Sequence, residues 1–141
     1  MLFRSSVKRR GVKSRDANNG KPMIQRPRNV HAQYHAHVYF DEKTTEQARA
    51  LCQTAATLFG VTMGRVHKKR VGPHPHWSCQ LAFDATQFDA LIPWLETNRN
   101  GLNILVHAQT GKNIEDHTTH ASWLGEPATL NLSHFLSHSN A

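Results

Sequence analysis

The sequence predicts an α+β fold of the ferredoxin-like type, with the order β-α-β-β-α-β and both helices on one face of a four-stranded antiparallel sheet. Two observations support this prediction. Four segments of the chain are strand-like and two carry apolar residues every three or four positions, and they follow one another in that order. The length of 141 residues also suits a single domain. In such a sheet the strands usually lie side by side in the order 4-1-3-2.

Each predicted element has its own signal in the sequence. The first strand is rich in β-branched and aromatic residues, from Tyr34 to Phe40. The first helix carries one apolar stripe, and Gly60 follows it where a left-handed C-terminal cap would lie. Pro93 lies inside the second helix, where we expect a kink. The six predicted elements are the strands 34–40, 61–68, 77–83 and 102–107 and the helices 44–59 and 84–98.

The positive charge is concentrated at the start of the chain. Of the 17 Lys and Arg residues, nine lie in residues 1–30, where Asp16 is the one acidic residue, and the rest of the chain is close to neutral. Because this segment has no helical or strand period, we expect a disordered basic N-terminal extension over residues 1–30. A nucleic-acid-binding tail, a transit peptide and a solvated extension all fit this composition. Residues 31–127 then form the domain, and residues 128–141 form a C-terminal tail.

The composition also limits the class of protein and its partners. No apolar run approaches the roughly 20 residues that a membrane span needs, so we expect no membrane partner and a cytoplasmic location. The two cysteines, Cys52 and Cys79, are too few for a disulfide framework and are interpreted as core residues. We expect nucleic acid to bind, if at all, through the basic extension. Ferredoxin-like sheets often pair, so we also expect a homodimer.

Histidine is the unusual residue type, with 11 copies against 10 acidic residues in all. Histidine is the commonest metal ligand and titrates near neutral pH. Alternation along the first strand places His35, His37 and Tyr39 on the sheet face opposite the helices. Taking strands one and three as parallel, we predict that their starts and the ends of strands two and four share one rim. The histidines gathered there would be His35, His37, His67, His74, His76 and His107.

Several motifs resemble the DOPA 4,5-dioxygenase family, in the same order and over about residues 34–127. They are His35-Ala-His37-Val-Tyr-Phe, Arg65-Val-His67, Val71-Gly-Pro-His74-Pro, Pro93-Trp-Leu, Leu105-Val-His107, Thr110-Gly111, Asp116-His117 and His120-Ala-Ser-Trp123-Leu-Gly125. The resemblance implies a ferredoxin-like fold and extradiol cleavage of a catechol such as DOPA or caffeate by O2, with non-haem iron(II). The sequence departs from the family at Ala108, where proline is usual.

A metal centre of this kind needs protein ligands on one side and open positions on the other. The common non-haem iron solution is two histidines and one carboxylate. Our first choices as ligands are His37, His74 and His107, with His35 as a competitor. Since the strands supply no carboxylate, either the C-terminal segment provides one or the site is all histidine. An all-histidine site also suits zinc, so we expect Fe2+ with zinc as the alternative.

The C-terminal segment is expected to fold over the open face and to supply the remaining groups. His117 or His120 would act as acid or base, because an imidazole titrates near neutral pH. Asp116 would orient one of those imidazoles or, like Glu115, reach the metal as a carboxylate ligand.

Two other functions remain open at this point. The first is a zinc-dependent hydrolase or isomerase that uses the same histidine cluster. The second is a non-catalytic ferredoxin-like binding module whose basic extension engages nucleic acid. The leading hypothesis is a ring-cleaving dioxygenase whose partners are a small catechol and O2.

Overall fold

The structure is a computed structural model, and it describes residues 24–138. All six predicted elements are present, with bounds within two residues of those expected. The C-terminal part adds a strand and two short helices. The elements are β1 (Gln33–Phe40), α1 (Thr45–Phe59), β2 (Thr62–His67), β3 (Trp77–Asp84), α2 (Ala85–Asn98), β4 (Ile104–Ala108), α3 (Asn113–Asp116), β5 (Ala121–Leu124) and α4 (Ser133–His138).

The sheet has five strands in the order β2-β3-β1-β4-β5, and every neighbouring pair is antiparallel. Its first four strands have the ferredoxin-like order, which confirms the predicted fold class. The fifth strand extends the sheet beside β4. The sequence did not reveal β5 because a strand of four residues is too short to show a clear period.

The predicted direction of the third strand is wrong. β3 runs antiparallel to β1, so that Gln33 pairs with Asp84 and Phe40 with Trp77. The physical reason is the connectivity. The α1 crossover makes β1 and β2 parallel, and β3 then returns between them in the opposite direction. The six-histidine rim is therefore wrong as well, because His67 pairs with Ser78 at the far end of the sheet.

The main core lies between the two long helices and the sheet. Alternation along the strands places Val38, Leu81 and Ile104 on this face, all with no exposed surface. Cys52 and Cys79 are also fully buried there, as the sequence predicted. The helix α2 begins with a capping box, in which the Asp84 carboxylate accepts from backbone N–H groups of the first turn.

Residues 24–30 belong to the folded unit, whereas the sequence assigned them to the extension. Trp123 N donates to the Gln25 carbonyl at 2.9 Å, and Arg26 Nη1 donates to the Trp123 carbonyl at 2.9 Å. This segment satisfies backbone groups along the outer edge of β5, which would otherwise be unpaired. Residues 1–23 lie outside the described residues, so disorder there and nucleic-acid binding stay predictions.

Within residues 24–138, no helix combines the length and the apolar character that crossing a membrane would require.

Truncation of the core at Leu81 tests this packing. Leu81 is fully buried, and we expect Leu81→Ala to lower the free energy of unfolding by about 2–5 kcal/mol, because it leaves a cavity. Leu58→Ala is the matched control, since Leu58 is 58% exposed and its truncation should cost less than about 0.5 kcal/mol. Urea denaturation monitored by tryptophan fluorescence measures both. Equal losses in the two variants would contradict the described core.

Candidate metal centre

Three histidines on two adjacent strands converge on the open face of the sheet. In the β1–β4 pair, His35 lies directly opposite His107, and His37 is two residues further along the same face. Each imidazole offers one nitrogen, and the three nitrogens all lie within 4.8 Å of one another. Because metal–nitrogen bonds are about 2.0–2.1 Å long, small side-chain adjustments would let the three nitrogens bind one ion.

The hydrogen bonds of His107 define its tautomer. His107 Nδ1 lies 2.7 Å from the Ala108 carbonyl oxygen, and a carbonyl can only accept, so Nδ1 carries the hydrogen. His107 Nε2 therefore has the lone pair, and His37 Nε2, 2.9 Å away, donates to it in the metal-free protein. An outer hydrogen bond of this kind is typical of a metal-binding histidine.

Burial keeps these imidazoles neutral. Burial, together with the nearby His117, lowers the pKa of His107 to about 3. Burial is also the main reason why the pKa of His37 lies well below its usual range, and His74 and His107 lower it further. Neutral imidazoles keep their lone pairs at pH 7, so a metal ion displaces few protons when it binds.

His74 reaches the cluster from the loop between β2 and β3. Its ring centre lies 4.1 Å from that of His37, and the Tyr39 hydroxyl is 2.8 Å from His74 Nδ1. Burial lowers the pKa of His74 to about 4. The structure thus brings His74 beside the cluster, but the three nitrogens with mutual spacing under 4.8 Å belong to His35, His37 and His107.

His117 is the residue of the C-terminal segment that reaches the cluster, as the sequence predicted for this segment. Its ring centre is 4.1 Å from that of His107 and 4.6 Å from that of the buried Phe135. His117 Nδ1 donates to the Asn113 carbonyl at 2.8 Å, which leaves the lone pair on Nε2. Burial lowers its pKa, while the Asn113 hydrogen bond and Asp116 act in the opposite direction.

The acidic residues of this segment do not hold a ligand position. Asp116 is buried, and its two oxygens accept from Thr110 N at 2.8 Å and from Thr110 Oγ1 at 2.7 Å. It therefore fixes the turn that carries His117, and it does not hydrogen-bond an imidazole among the described residues. Glu115 is exposed, and its carbonyl accepts from His120 N. In the described part of the chain, the cluster is all histidine.

His120 does not belong to the cluster. Along β5, Ala121 and Trp123 pack on the open face, whereas Leu124 joins the core on the helix side. Because neighbouring residues of a strand point to opposite faces, His120, which precedes Ala121, lies on the helix side of the sheet. Its ring centre is 4.5 Å from that of His31, and both line a cavity of about 460 Å³. His107 lines the same cavity, and the role of His120 as acid or base stays a prediction.

Sequence reasoning missed two parts of the site. The first is the wall of the open face, where Tyr39, Leu105 and Trp123 form a small apolar cluster. The second is a groove of about 1010 Å³, which begins at His117 and runs along β5 and the tail to Leu130. The sequence placed Tyr39 on this face, but it did not predict that Leu105 and Trp123 pack against it. The groove was not predictable either, because it depends on how the tail folds back.

The fold and the site define an α+β protein with a buried, all-histidine cluster that is suited to a metal ion. The profile of the Dopa 4,5-dioxygenase family matches residues 34–134, and the chain belongs to this family.

The individual relatives agree with this family. The chain is 41% identical to a Nostoc punctiforme protein described as a candidate dioxygenase, with a TM-score of 0.73 over 76% of this chain and 93% of that one. It is 34% identical over 116 residues to an uncharacterized 21.2 kDa protein of Botryotinia fuckeliana. It is 27% identical over 110 residues to the DOPA 4,5-dioxygenase of Amanita muscaria.

The matches to the two fungal proteins include 74% and 72% of this chain, but 63% and 48% of the relatives' lengths. The chain therefore spans about half to two thirds of these curated relatives. Together, the family and the solved structure support a dioxygenase, and the cluster is consistent with one that depends on a metal.

The lowered pKa values predict a pH-dependent stability for the metal-free protein. Below about pH 6, the unfolded chain protonates histidines that the folded chain keeps neutral, so the free energy of unfolding falls as the pH falls. His107→Gln removes one such group and should flatten this dependence by about 1.4 kcal/mol per pH unit between about pH 6 and 4. Urea denaturation at several pH values measures it, and parallel curves for wild type and variant would contradict the prediction.

Single replacements test the cluster as a metal site. We expect His37→Ala to weaken Zn(II) binding at least about 100-fold, more than the loss of an outer hydrogen-bond partner would. His31→Ala is the matched control, because the ring of His31 contacts Tyr34 and His120 and is not part of the three-histidine cluster. Isothermal titration calorimetry measures both affinities. Unchanged affinity in His37→Ala would show that the metal binds elsewhere.

Proposed function

We propose that the chain is an iron(II)-dependent dioxygenase that cleaves the ring of a catechol, such as DOPA or caffeate, by the extradiol route. The observation that carries the proposal is the cluster formed by the half-buried His35 with the buried His37 and His107. His117, whose ring centre lies 4.1 Å from that of His107, also lines the groove of about 1010 Å³, in a chain of the Dopa 4,5-dioxygenase family. The groove has room for one aromatic acid.

The residues present fit a bound metal ion. Three neutral imidazoles from adjacent strands provide the donor atoms, and the rigid β1–β4 pair fixes their spacing. Among residues 24–138, no carboxylate fills the remaining positions, which leaves room for substrate and O2. When bound, iron(II) would supply the electron transfer between a catecholate and triplet O2, which react poorly with each other on their own.

His117 is the best candidate for the base that takes a proton from the catechol. Its ring lies against His107, and the Asn113 carbonyl holds its hydrogen on Nδ1. Nε2 therefore carries a lone pair, as a base requires. Burial lowers the pKa of His117, so the ring is neutral and ready to accept a proton at pH 7.

The apolar wall of the open face would shape the substrate site. Tyr39 and Trp123 pack with their ring centres 5.9 Å apart, and Leu105 of β4 packs in the same cluster and is fully buried. Such a wall excludes water from one side of the cluster and favours a flat aromatic ring. Asp116 supports the site indirectly, because its bonds to Thr110 hold the turn that carries His117.

A zinc-dependent hydrolase or isomerase is the second candidate. The observation that favours it is the donor set, since the cluster contains no carboxylate among the described residues and all-histidine sites suit zinc.

Oxygen uptake distinguishes the two candidates. Protein loaded anaerobically with Fe(II) should consume O2 with caffeate or DOPA and form a yellow product whose mass equals the substrate plus both oxygen atoms. Zn(II)-loaded protein should be inactive in this assay. An oxygen electrode, absorbance spectra and mass spectrometry provide the measurements. No oxygen uptake with any of a panel of catechols would exclude the dioxygenase.

In the same assay, His107→Ala should lose at least about 100-fold of the activity, because one of three ligands is missing. His31→Ala should retain it, since the ring of His31 contacts Tyr34 and His120 and is not part of the three-histidine cluster.

A further inference from the structure

The Tyr39 hydroxyl makes a buried hydrogen bond that the reaction described above does not use. Tyr39 follows His35 and His37 on the same face of β1, and 4% of its surface is exposed. Its oxygen lies 2.8 Å from Nδ1 of His74, which is also buried. Among residues 24–138, His74 is the hydrogen-bond partner of this hydroxyl.

The direction of this hydrogen bond follows from the phenol. A buried hydroxyl hydrogen needs an acceptor, and a phenol keeps its hydrogen at neutral pH. His74 Nδ1 is the acceptor within reach, and Tyr39 therefore donates to it. A neutral imidazole has one N–H, so the hydrogen of His74 is on Nε2.

This tautomer is the opposite of that found in His107. The Ala108 carbonyl holds the hydrogen of His107 on Nδ1 and exposes the Nε2 lone pair, which is the state of a metal ligand. His74 instead has its Nδ1 lone pair engaged by Tyr39 and a hydrogen on Nε2. In this state, neither nitrogen of His74 offers a lone pair to an ion.

We propose that Tyr39 is a positioning residue that holds His74 in the Nε2–H tautomer, so that His74 is a hydrogen-bond donor to a substrate oxygen rather than a fourth metal ligand. The inference rests on the proposed function, because it assigns His74 a task at the same site. Neutral imidazoles act as such donors in other enzymes, where they polarise an oxygen without giving up a full proton. The ring of His74 is well placed, since it packs 4.1 Å from that of His37.

Nitrogen NMR tests the tautomer directly. Long-range 1H–15N spectra of 15N-labelled, metal-free protein distinguish an imidazole nitrogen that carries a hydrogen from one that carries a lone pair. The measurement is made at pH 7.5, where the imidazoles are neutral. We expect the Nε2–H form for His74 and the Nδ1–H form for His107. In Tyr39→Phe, the His74 signals should shift towards a mixture of tautomers. The Nδ1–H form of His74 in the wild type would overturn the proposal.

Tyr34→Phe is the matched control, because it removes the other buried tyrosine hydroxyl of the chain. Tyr34 OH bonds to backbone groups of residues 28–31 and is remote from His74 in the hydrogen-bond network. Its replacement should leave the His74 signals unchanged. An equal change of the His74 tautomer in both variants would mean that Tyr39 has no specific role.

Zinc titration tests whether His35, His37 and His107 bind the metal while His74 does not. On loading with Zn(II), the nitrogens of His35, His37 and His107 should move to the metal-bound range, while His74 keeps its Nε2–H. His74→Gln should bind Zn(II) with an affinity within a few-fold of wild type. Loss of the His74 N–H on metal loading, or loss of metal in His74→Gln, would overturn the proposal.

Steady-state kinetics of the Fe(II)-loaded chain gives the functional readout. Tyr39→Phe should lower kcat about ten-fold with KM nearly unchanged, the order expected for one positioning hydrogen bond. The two proposals fail in different ways. Absence of ring cleavage would reject the dioxygenase but leave the tautomer measurable, whereas an Nδ1–H His74 would reject the role of Tyr39 in an active enzyme.

Discussion

The antiparallel pairing of β1 with β4 is the constraint on which the rest of the site depends. It places His35 opposite His107, and the period of two along β1 returns His37 to the same face. These residues lie on the regular backbone of central strands, so their spacing is set by the hydrogen bonds of the sheet. Loops bring the other groups to this fixed trio.

Clustering several imidazoles in a buried site would be destabilising if the rings were charged, and the structure shows how this is avoided. Protonated rings would repel one another, but burial lowers the pKa values of His37, His74 and His107 so that the rings stay neutral. Each neutral ring then needs a partner for its single N–H. The Ala108 carbonyl serves His107, the Asn113 carbonyl serves the neighbouring His117, and these contacts also fix the tautomers of the two rings.

The sequence predicted the fold class and the faces of the strands, because both depend on the local spacing of apolar residues along each element. It placed His35, His37 and Tyr39 on the open face, where they are found. It failed at the direction of β3, which follows from chain connectivity rather than from any local pattern. Its conclusion that the histidines converge was nevertheless sound, because β1 and β4 do bring theirs together.

The remaining differences between prediction and structure come from tertiary contacts, which cannot be recognised from the sequence around a single residue. His74 comes near His37 because its loop folds over the sheet, and its Nδ1 is hydrogen-bonded to the Tyr39 hydroxyl. His120 was expected at the cluster and lies on the helix side, because the register of the short strand β5 decides its face. Asp116 is engaged by Thr110, a contact within one turn that its sequence position alone does not reveal.

The site is assembled from two kinds of structure with different freedom to change. The floor, formed by β1 and β4, belongs to the hydrophobic core, and altering its backbone would unfold the domain. The opposite side of the site is formed by the C-terminal tail. A hydrogen bond from Asn131 N to the Pro73 carbonyl, 2.8 Å long, joins this tail to the loop that carries His74. Insertions or substitutions in that tail would change the shape of the ligand space above β1 and β4, while His35, His37 and His107 keep their geometry. The same fold can therefore accommodate ligands of different size with little loss of stability.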